Sequence, residues 1–255
     1  RTPYAALSGA REPDPELMPA QQGAVRQLED ALSSGGGRFL LHGVTGSGKT
    51  EVYIRAVRKA LSDGRGAIIL VPEISLTPQM VDWFRRRFGA DAAVLHSRLS
   101  AGERFDEWKR IRSGEARVVI GARSAVFAPL ENPGIIIVDE EHESSYISDS
   151  RPRYDAREVA RWRCDYHRGV LLLGSATPSI ATYMKAMPGV RPTNRLTLIE
   201  MTQRVKGRKL PEVEIVDMRE ELVKGNRTIF SAALIAALGE CLLNDGTYLD
   251  AVIDG

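Results

Sequence analysis

Short apolar runs recur along the chain, and most are followed by a stretch in which apolar residues return every three or four positions. The runs fall at 39–41, 67–71, 92–95, 118–120, 135–138 and 170–174. They read as strands, because β-branched and leucine-rich runs of this length match buried extended segments. Helical periodicity follows at about residue 49, with Val52, Val57, Ala60 and Leu61 on one side, and again at 77–88 and 101–113. Strand alternating with helix predicts an α/β fold: a doubly wound, mostly parallel sheet with helices on both faces. Residues 1–18 are rich in proline and charge and are expected to be a loose lead-in. Residues 19–187 carry the alternation. In the remainder, 188–255, the stretch 194–217 is basic and strand-like, and 231–243 is an alanine- and leucine-rich helix.

Composition narrows this picture only a little. With 255 residues, 43% of them hydrophobic, the chain suffices for one sizeable α/β core and a small appendage. Lys plus Arg (35) against Asp plus Glu (33) leaves +2, so bulk charge does not announce nucleic acid. Local clusters say more: Arg85-Arg86-Arg87, the arginines between Arg151 and Arg168, and Arg204, Lys206, Arg208 and Lys209. Such runs serve either as solvated helix faces or as tracks for phosphates. No apolar stretch approaches a membrane span and no signal-peptide pattern opens the sequence. Two cysteines, Cys164 and Cys241, cannot build a disulfide framework or a zinc site, so a soluble protein of the reducing cytoplasm is expected.

The chemistry is concentrated at two strand ends. Gly43-Val44-Thr45-Gly46-Ser47-Gly48-Lys49-Thr50 reads G-x-x-x-x-G-K-T between an apolar run and a helical pattern, the context that a phosphate-binding loop requires. Backbone N–H groups of such a loop converge on phosphate, and the open N–H groups of the helix start add partial positive charge. Lys49 is placed to reach the β- and γ-phosphates, and the Thr50 hydroxyl to hold Mg²⁺. The second strand end is Ile135-Ile136-Ile137-Val138-Asp139-Glu140-Glu141-His142. Acids at the carboxyl end of a buried parallel strand sit where open α/β sheets bind ligands. Asp139 is expected to hold Mg²⁺ opposite Thr50, either directly or through a bound water, and Glu140 is the residue that orients and deprotonates a water. Kinases that transfer phosphate to a small acceptor have less need of that glutamate, so the pair points to NTP hydrolysis.

These stretches, together with Val71-Pro72-Glu73-Ile74-Ser75-Leu76-Thr77-Pro78-Gln79 and Gly174-Ser175-Ala176-Thr177-Pro178, resemble the first motor lobe of a superfamily 2 helicase. Within that superfamily the resemblance is to the primosomal replication restart helicases, and it runs from about residue 17 to 217. It implies a RecA-like P-loop NTPase lobe, ATP and Mg²⁺ as ligands, and 3′-to-5′ movement on single-stranded DNA. It also implies forked DNA as substrate, with primosome and replisome-loading proteins as partners. By the same resemblance, Glu73, Ser75 and Thr77 contact DNA, as do Arg123 and Ser124 of Gly121-Ala122-Arg123-Ser124-Ala125. Ala122 stands where the family usually has threonine.

His142, Ser175 and Thr177 are expected to couple the ATP state to the grip on DNA, with Thr177 otherwise a simple helix cap. Gln21 stands where the family reads adenine, and the neighbouring Gln22 leaves the choice between them open. Tyr146, Arg153 and Tyr154 belong to an aromatic-rich loop that senses DNA. In that loop Ile147 and Ser148 replace the usual lysine and glutamine, and Asp155 a usual histidine. The remaining histidines, His42, His96 and His167, read as structural. The family's N-terminal DNA-binding region, second RecA-like lobe and cysteine-rich zinc insertion are not in this sequence. It therefore reads as a fragment whose end leads toward the second lobe, and zinc is expected only in the missing part. Two alternatives remain open: a nucleotide- and DNA-binding scaffold with little turnover, or another superfamily 2 helicase of the restriction or recombination type.

Overall fold

The computed structural model describes residues 15–189, 194–205 and 213–243, so most of the lead-in and part of the last basic cluster (Lys206, Arg208, Lys209) lie outside it. The chain divides into two units at residue 208. The first holds seven strands: β1 (Gly37–Gly43), β2 (Gly66–Leu70), β3 (Ala92–Leu95), β4 (Val118–Gly121), β5 (Pro133–Val138), β6 (Val170–Ser175) and β7 (Thr197–Met201). They form one sheet in the order β3-β4-β2-β5-β6-β1-β7, and every pairing is parallel. The helices are α1 (Pro19–Ser33), α2 (Lys49–Ser62), α3 (Pro78–Phe88), α4 (Ala101–Arg112), α5 (Ala156–His167) and α6 (Ile180–Ala186).

Alternation along each strand decides which face a side chain joins. Phe39, Leu41, Ile69, Ile135, Ile137 and Leu172 pack under α1, α2 and α3, while Leu40, Ile68, Leu70, Ile136, Val138 and Leu171 pack under α4, α5 and α6. Ile135–Val138 are wholly buried from both sides. Each such side chain contributes about 1.5–3 kcal/mol relative to exposure, so β5 is pinned in depth as well as register. This is the doubly wound α/β architecture that the periodicity implied, and the RecA-like lobe that the resemblance implied. Among the described residues of the strand-like stretch 194–217, only β7 is a strand. It adds to the sheet edge beside β1, and residues 213–216 pair with nothing as a strand.

Helix ends follow the capping rules. Thr77 accepts the Met80 N–H at the start of α3, with proline in the first turn. Ser100 and Glu103 form a reciprocal capping box on α4. Asp155 caps α5 by accepting the Arg157 N–H at 2.9 Å and also binds the Arg157 guanidinium. The second unit contains α7 (Met218–Val223) and α8 (Ala232–Leu243), with Glu221 accepting the Ala232 N–H at 2.7 Å. Among the described residues no helix is long and apolar enough to cross a membrane.

Candidate nucleotide site and nucleic-acid rim

β1, β6 and β5 are neighbours in the sheet, so their carboxyl ends bring three sequence-distant segments to one place. From β1 the chain enters the loop 43–50, in which Gly46 and Gly48 hold φ of +77° and +78°. That left-handed region favours glycine, which explains both positions. A Cβ on Gly43 would lie 2.6 Å from Ser47 Oγ and 3.1 Å from Lys49 Cγ, so the loop closes only on a bare Cα. Lys49 Nζ donates to the Gly43 carbonyl at 2.9 Å and stands 3.8 Å from Glu140 Oε1. Among the described residues Ser47 Oγ is buried without a hydrogen-bond partner. An orphaned hydroxyl, a lysine folded back over the loop and the open N–H groups of α2 fit a phosphate group. Thr50, on the first turn of α2, and Asp139 supply oxygen donors suited to magnesium.

The three acids after β5 point to three different environments. Asp139 is half-buried, and its Oδ1 accepts the Tyr53 hydroxyl at 2.8 Å. Burial pushes its carboxyl above the usual range, and the Tyr53 hydrogen bond partly opposes that. Glu140 has φ +44°, a left-handed conformation costing about 1–2 kcal/mol for a residue with a side chain. That turn faces its carboxylate toward Lys49, with Oε2 3.7 Å from His142 Nδ1 and 3.4 Å from Ser175 Oγ. Glu141, by contrast, is wholly buried and accepts from Ser179 N (2.7 Å) and Thr182 Oγ1 (2.8 Å) at the start of α6. Its carboxylate is bonded to the start of α6, not to the loop.

His142 Nδ1 lies 2.9 Å from Ser175 Oγ, which also accepts the Thr177 N–H at 3.0 Å. Thr177 itself is exposed, and its backbone rather than its hydroxyl joins this network. Its reading as a helix cap is corrected: α6 begins later and is capped by Ser179, which accepts the Thr182 N–H. Gln21 is buried against the loop, its amide donating to the Ser47 and Gly48 carbonyls at 3.3 Å, whereas Gln22 faces solvent. Two contacts have no signal in the sequence. Met201 O accepts the Val44 N–H at 3.2 Å, and the Val205 N–H donates to Gly46 O at 2.9 Å, so the chain after β7 clamps the loop.

Of the expected DNA residues, Glu73, Ser75 and Thr77 follow β2, Arg123 and Ser124 follow β4, and Tyr146, Arg153 and Tyr154 follow β5. Glu73, Arg123 and Ser124 line one cleft of about 510 Å³, together with Arg104, Trp108 and Phe127, which the sequence did not mark. Glu73 accepts from the Ser97 hydroxyl. Ser75 ends the short 3₁₀ turn Glu73–Ser75 that leads to the Thr77 cap. Arg123 is not free: its Nη1 donates to the Ile147 and Ser145 carbonyls at 2.7 and 3.4 Å.

Tyr146 requires a correction. It is wholly buried, with its hydroxyl on the Asp139 and Leu70 carbonyls (2.6 and 3.1 Å), so it has no face to offer a base. Tyr154 is half-buried against Phe127, and Arg153 is exposed. Several arginines read as possible phosphate tracks are structural. Arg87 is buried 3.6 Å from Glu51, and Arg163 donates to the Val126, Ala128 and Leu130 carbonyls. Arg157 and Arg161 are held by Asp155 and Glu158.

A glycine-lined loop carrying Lys49 faces the acid pair Asp139-Glu140 at the carboxyl edge of a parallel sheet, an arrangement suited to a nucleotide phosphate. Residues 18–186 match the DEAD/DEAH box helicase family, and the chain belongs to it. More narrowly, it is 52% identical over 232 residues to the replication restart protein PriA of Bacillus subtilis (strain 168), covering 91% of this chain and 28% of that protein. It is 49% identical over 227 residues to PriA of Synechocystis sp., covering 89% and 27%. The chain thus spans about 28% of the length of the first of these curated relatives. Among solved structures, RecG bound to a three-way DNA junction shares the fold. Its TM-score is 0.52 at 23% identity, over 76% of this chain and 25% of that one.

Proposed function

We propose that residues 19–187 form the ATP-binding lobe of a replication restart helicase, which hydrolyses ATP to move 3′-to-5′ along single-stranded DNA at stalled forks. The observation that carries this reading is the approach of Glu140 to Lys49 at 3.8 Å, with Asp139 next to it at the end of β5. The loop backbone from Gly43 to Thr50 holds the phosphates, and Lys49 leaves the Gly43 carbonyl to reach them. Thr50 and Asp139 would hold Mg²⁺, which would supply positive charge to screen the phosphate oxygens. Glu140 orients a water and takes its proton, with the Lys49 ammonium 3.8 Å from its carboxylate. His142 and Ser175 link Glu140 to the turn before α6, so a change at the γ-phosphate is passed toward the rim. Glu73, Ser75, Thr77, Arg123, Ser124, Arg153 and Tyr154 lie along that rim and are assigned to DNA.

In the cell, the expected substrates are single-stranded and forked DNA in the cytoplasm, with primosome and replisome-loading proteins as partners. Calorimetry with Mg·ATP, followed by ATPase assays with and without single-stranded DNA, tests this. Nucleotide binding abolished by Lys49→Ala, with DNA-stimulated turnover in the intact protein, is the expected result. Binding without turnover in the intact protein would favour a nucleotide- and DNA-binding scaffold. No binding at all would overturn the assignment.

A further inference from the structure

Two tyrosines surround Asp139, and neither belongs to the acidic segment's own charge chemistry. Tyr53 lies on α2, one turn after Lys49, and is wholly buried. Its hydroxyl has one use, the 2.8 Å hydrogen bond to Asp139 Oδ1. The space it occupies is made by a third segment. A Cβ on Gly174, at the end of β6, would fall on the Tyr53 hydroxyl and lie 2.9 Å from its Cζ. Gly174 has no left-handed φ to explain a glycine. Its missing side chain is what admits the phenol. Helix α2, which begins in the phosphate loop, is thus bonded to the carboxylate after β5 through a slot cut in β6.

We propose that Tyr53 is a positioning residue for magnesium: it fixes the Asp139 carboxylate so that the second oxygen is presented toward Thr50, and Gly174 is its steric complement. This rests on the reading of Thr50 and Asp139 as metal donors. The physical basis is that a ligating carboxylate is oriented by the hydrogen bond its other oxygen accepts, and loss of such a partner typically costs 10–100-fold in metal affinity. Tyr53→Phe keeps the ring and its packing and removes only that bond. Gly174→Ala keeps the tyrosine but drives its hydroxyl off Asp139. The two changes act through one hydrogen bond, so the double variant should be no worse than the worse single one.

The test measures binding, not turnover: a fluorescent ADP analogue is titrated onto the chain at Mg²⁺ concentrations from chelator-treated to millimolar. Wild type is expected to bind more tightly as Mg²⁺ rises. In Tyr53→Phe the Mg²⁺ midpoint should move up about tenfold or more, while metal-free ADP affinity stays the same. Gly174→Ala should show the same signature. If it does not fold, as judged by circular dichroism, Tyr53→Phe alone decides. An unchanged midpoint in Tyr53→Phe overturns the inference, as does an equal loss of metal-free affinity, which would mean a distorted loop. Wild-type binding that ignores Mg²⁺ would instead overturn the metal reading of Thr50 and Asp139 and this inference with it.

Discussion

Adjacent glutamates after β5 should respond to the same substitution in opposite ways. Glu140→Gln keeps the shape of a side chain that lies 3.8 Å from Lys49 Nζ and 3.4 Å from Ser175 Oγ, but removes its basicity. A positioned general base is worth about 10²–10⁴ in rate, or about 3–5 kcal/mol of barrier. The charge lost beside Lys49 matters less, because Glu140 is one-third exposed and such a pair contributes at most about 1 kcal/mol. Hydrolysis should therefore fall by at least about a hundredfold, while nucleotide affinity and thermal midpoint hardly move. Glu141→Gln should do the reverse. One charge-assisted bond to the start of α6 is lost in a buried site, costing about 1–3 kcal/mol. For a chain of this size that lowers the melting midpoint by roughly 3–10 °C. The assay is single-turnover hydrolysis of radiolabelled ATP at excess protein, paired with calorimetric melting. Normal turnover in Glu140→Gln, or a hundredfold loss in an unmelted Glu141→Gln, would refute the assignment.

Other outcomes can be checked directly. Lys49→Ala should abolish nucleotide binding in calorimetry; equal binding would remove Lys49 from the site. Binding to single-stranded oligonucleotides should be indifferent to sequence and fall with salt. Arg123→Ala and Arg153→Ala should each flatten the log–log slope by about 0.7 in fluorescence anisotropy, and unchanged slopes would show that the rim is not the DNA track. Burial pushes the Cys164 thiol up to about 12, so in a Cys241→Ser background it should ignore Ellman's reagent at pH 8 until the protein unfolds. Prompt native-state labelling would contradict that burial.

The sheet and the phosphate loop were legible because they are written locally. Four β-branched residues in a row can hardly be anything but a buried strand, and glycine spacing within one loop encodes its own φ angles. The acid pair was legible for the same reason: strand and carboxylates are adjacent. What was not legible depends on neighbours far away in sequence. Tyr146 and Tyr154 look alike in a loop, and only the fold turns one inward onto the Asp139 carbonyl. The arginine run after Arg151 looks like a basic patch, yet Arg163 reaches across to carbonyls after β4. Asp155 departs from the family's histidine and takes over a helix cap instead. Glu140 and Glu141 are chemically identical in sequence, and a single left-handed residue sends them to opposite sides of β5.

β1, the strand that carries the phosphate loop, is made early but pairs only with β6 and β7, the last strands of the sheet. During synthesis from the N-terminus it therefore waits, apolar and without a partner in the sheet, for most of the lobe to emerge. Even then the loop is not finished, since its Gly46 carbonyl is held by Val205 from beyond the final strand. A nascent chain that stops short of that point would have the glycines, the lysine and the threonine in order, but no finished cradle for a phosphate. On the proposed function, competence to bind nucleotide would arrive late, as a certificate that the lobe has been assembled through the segment after β7.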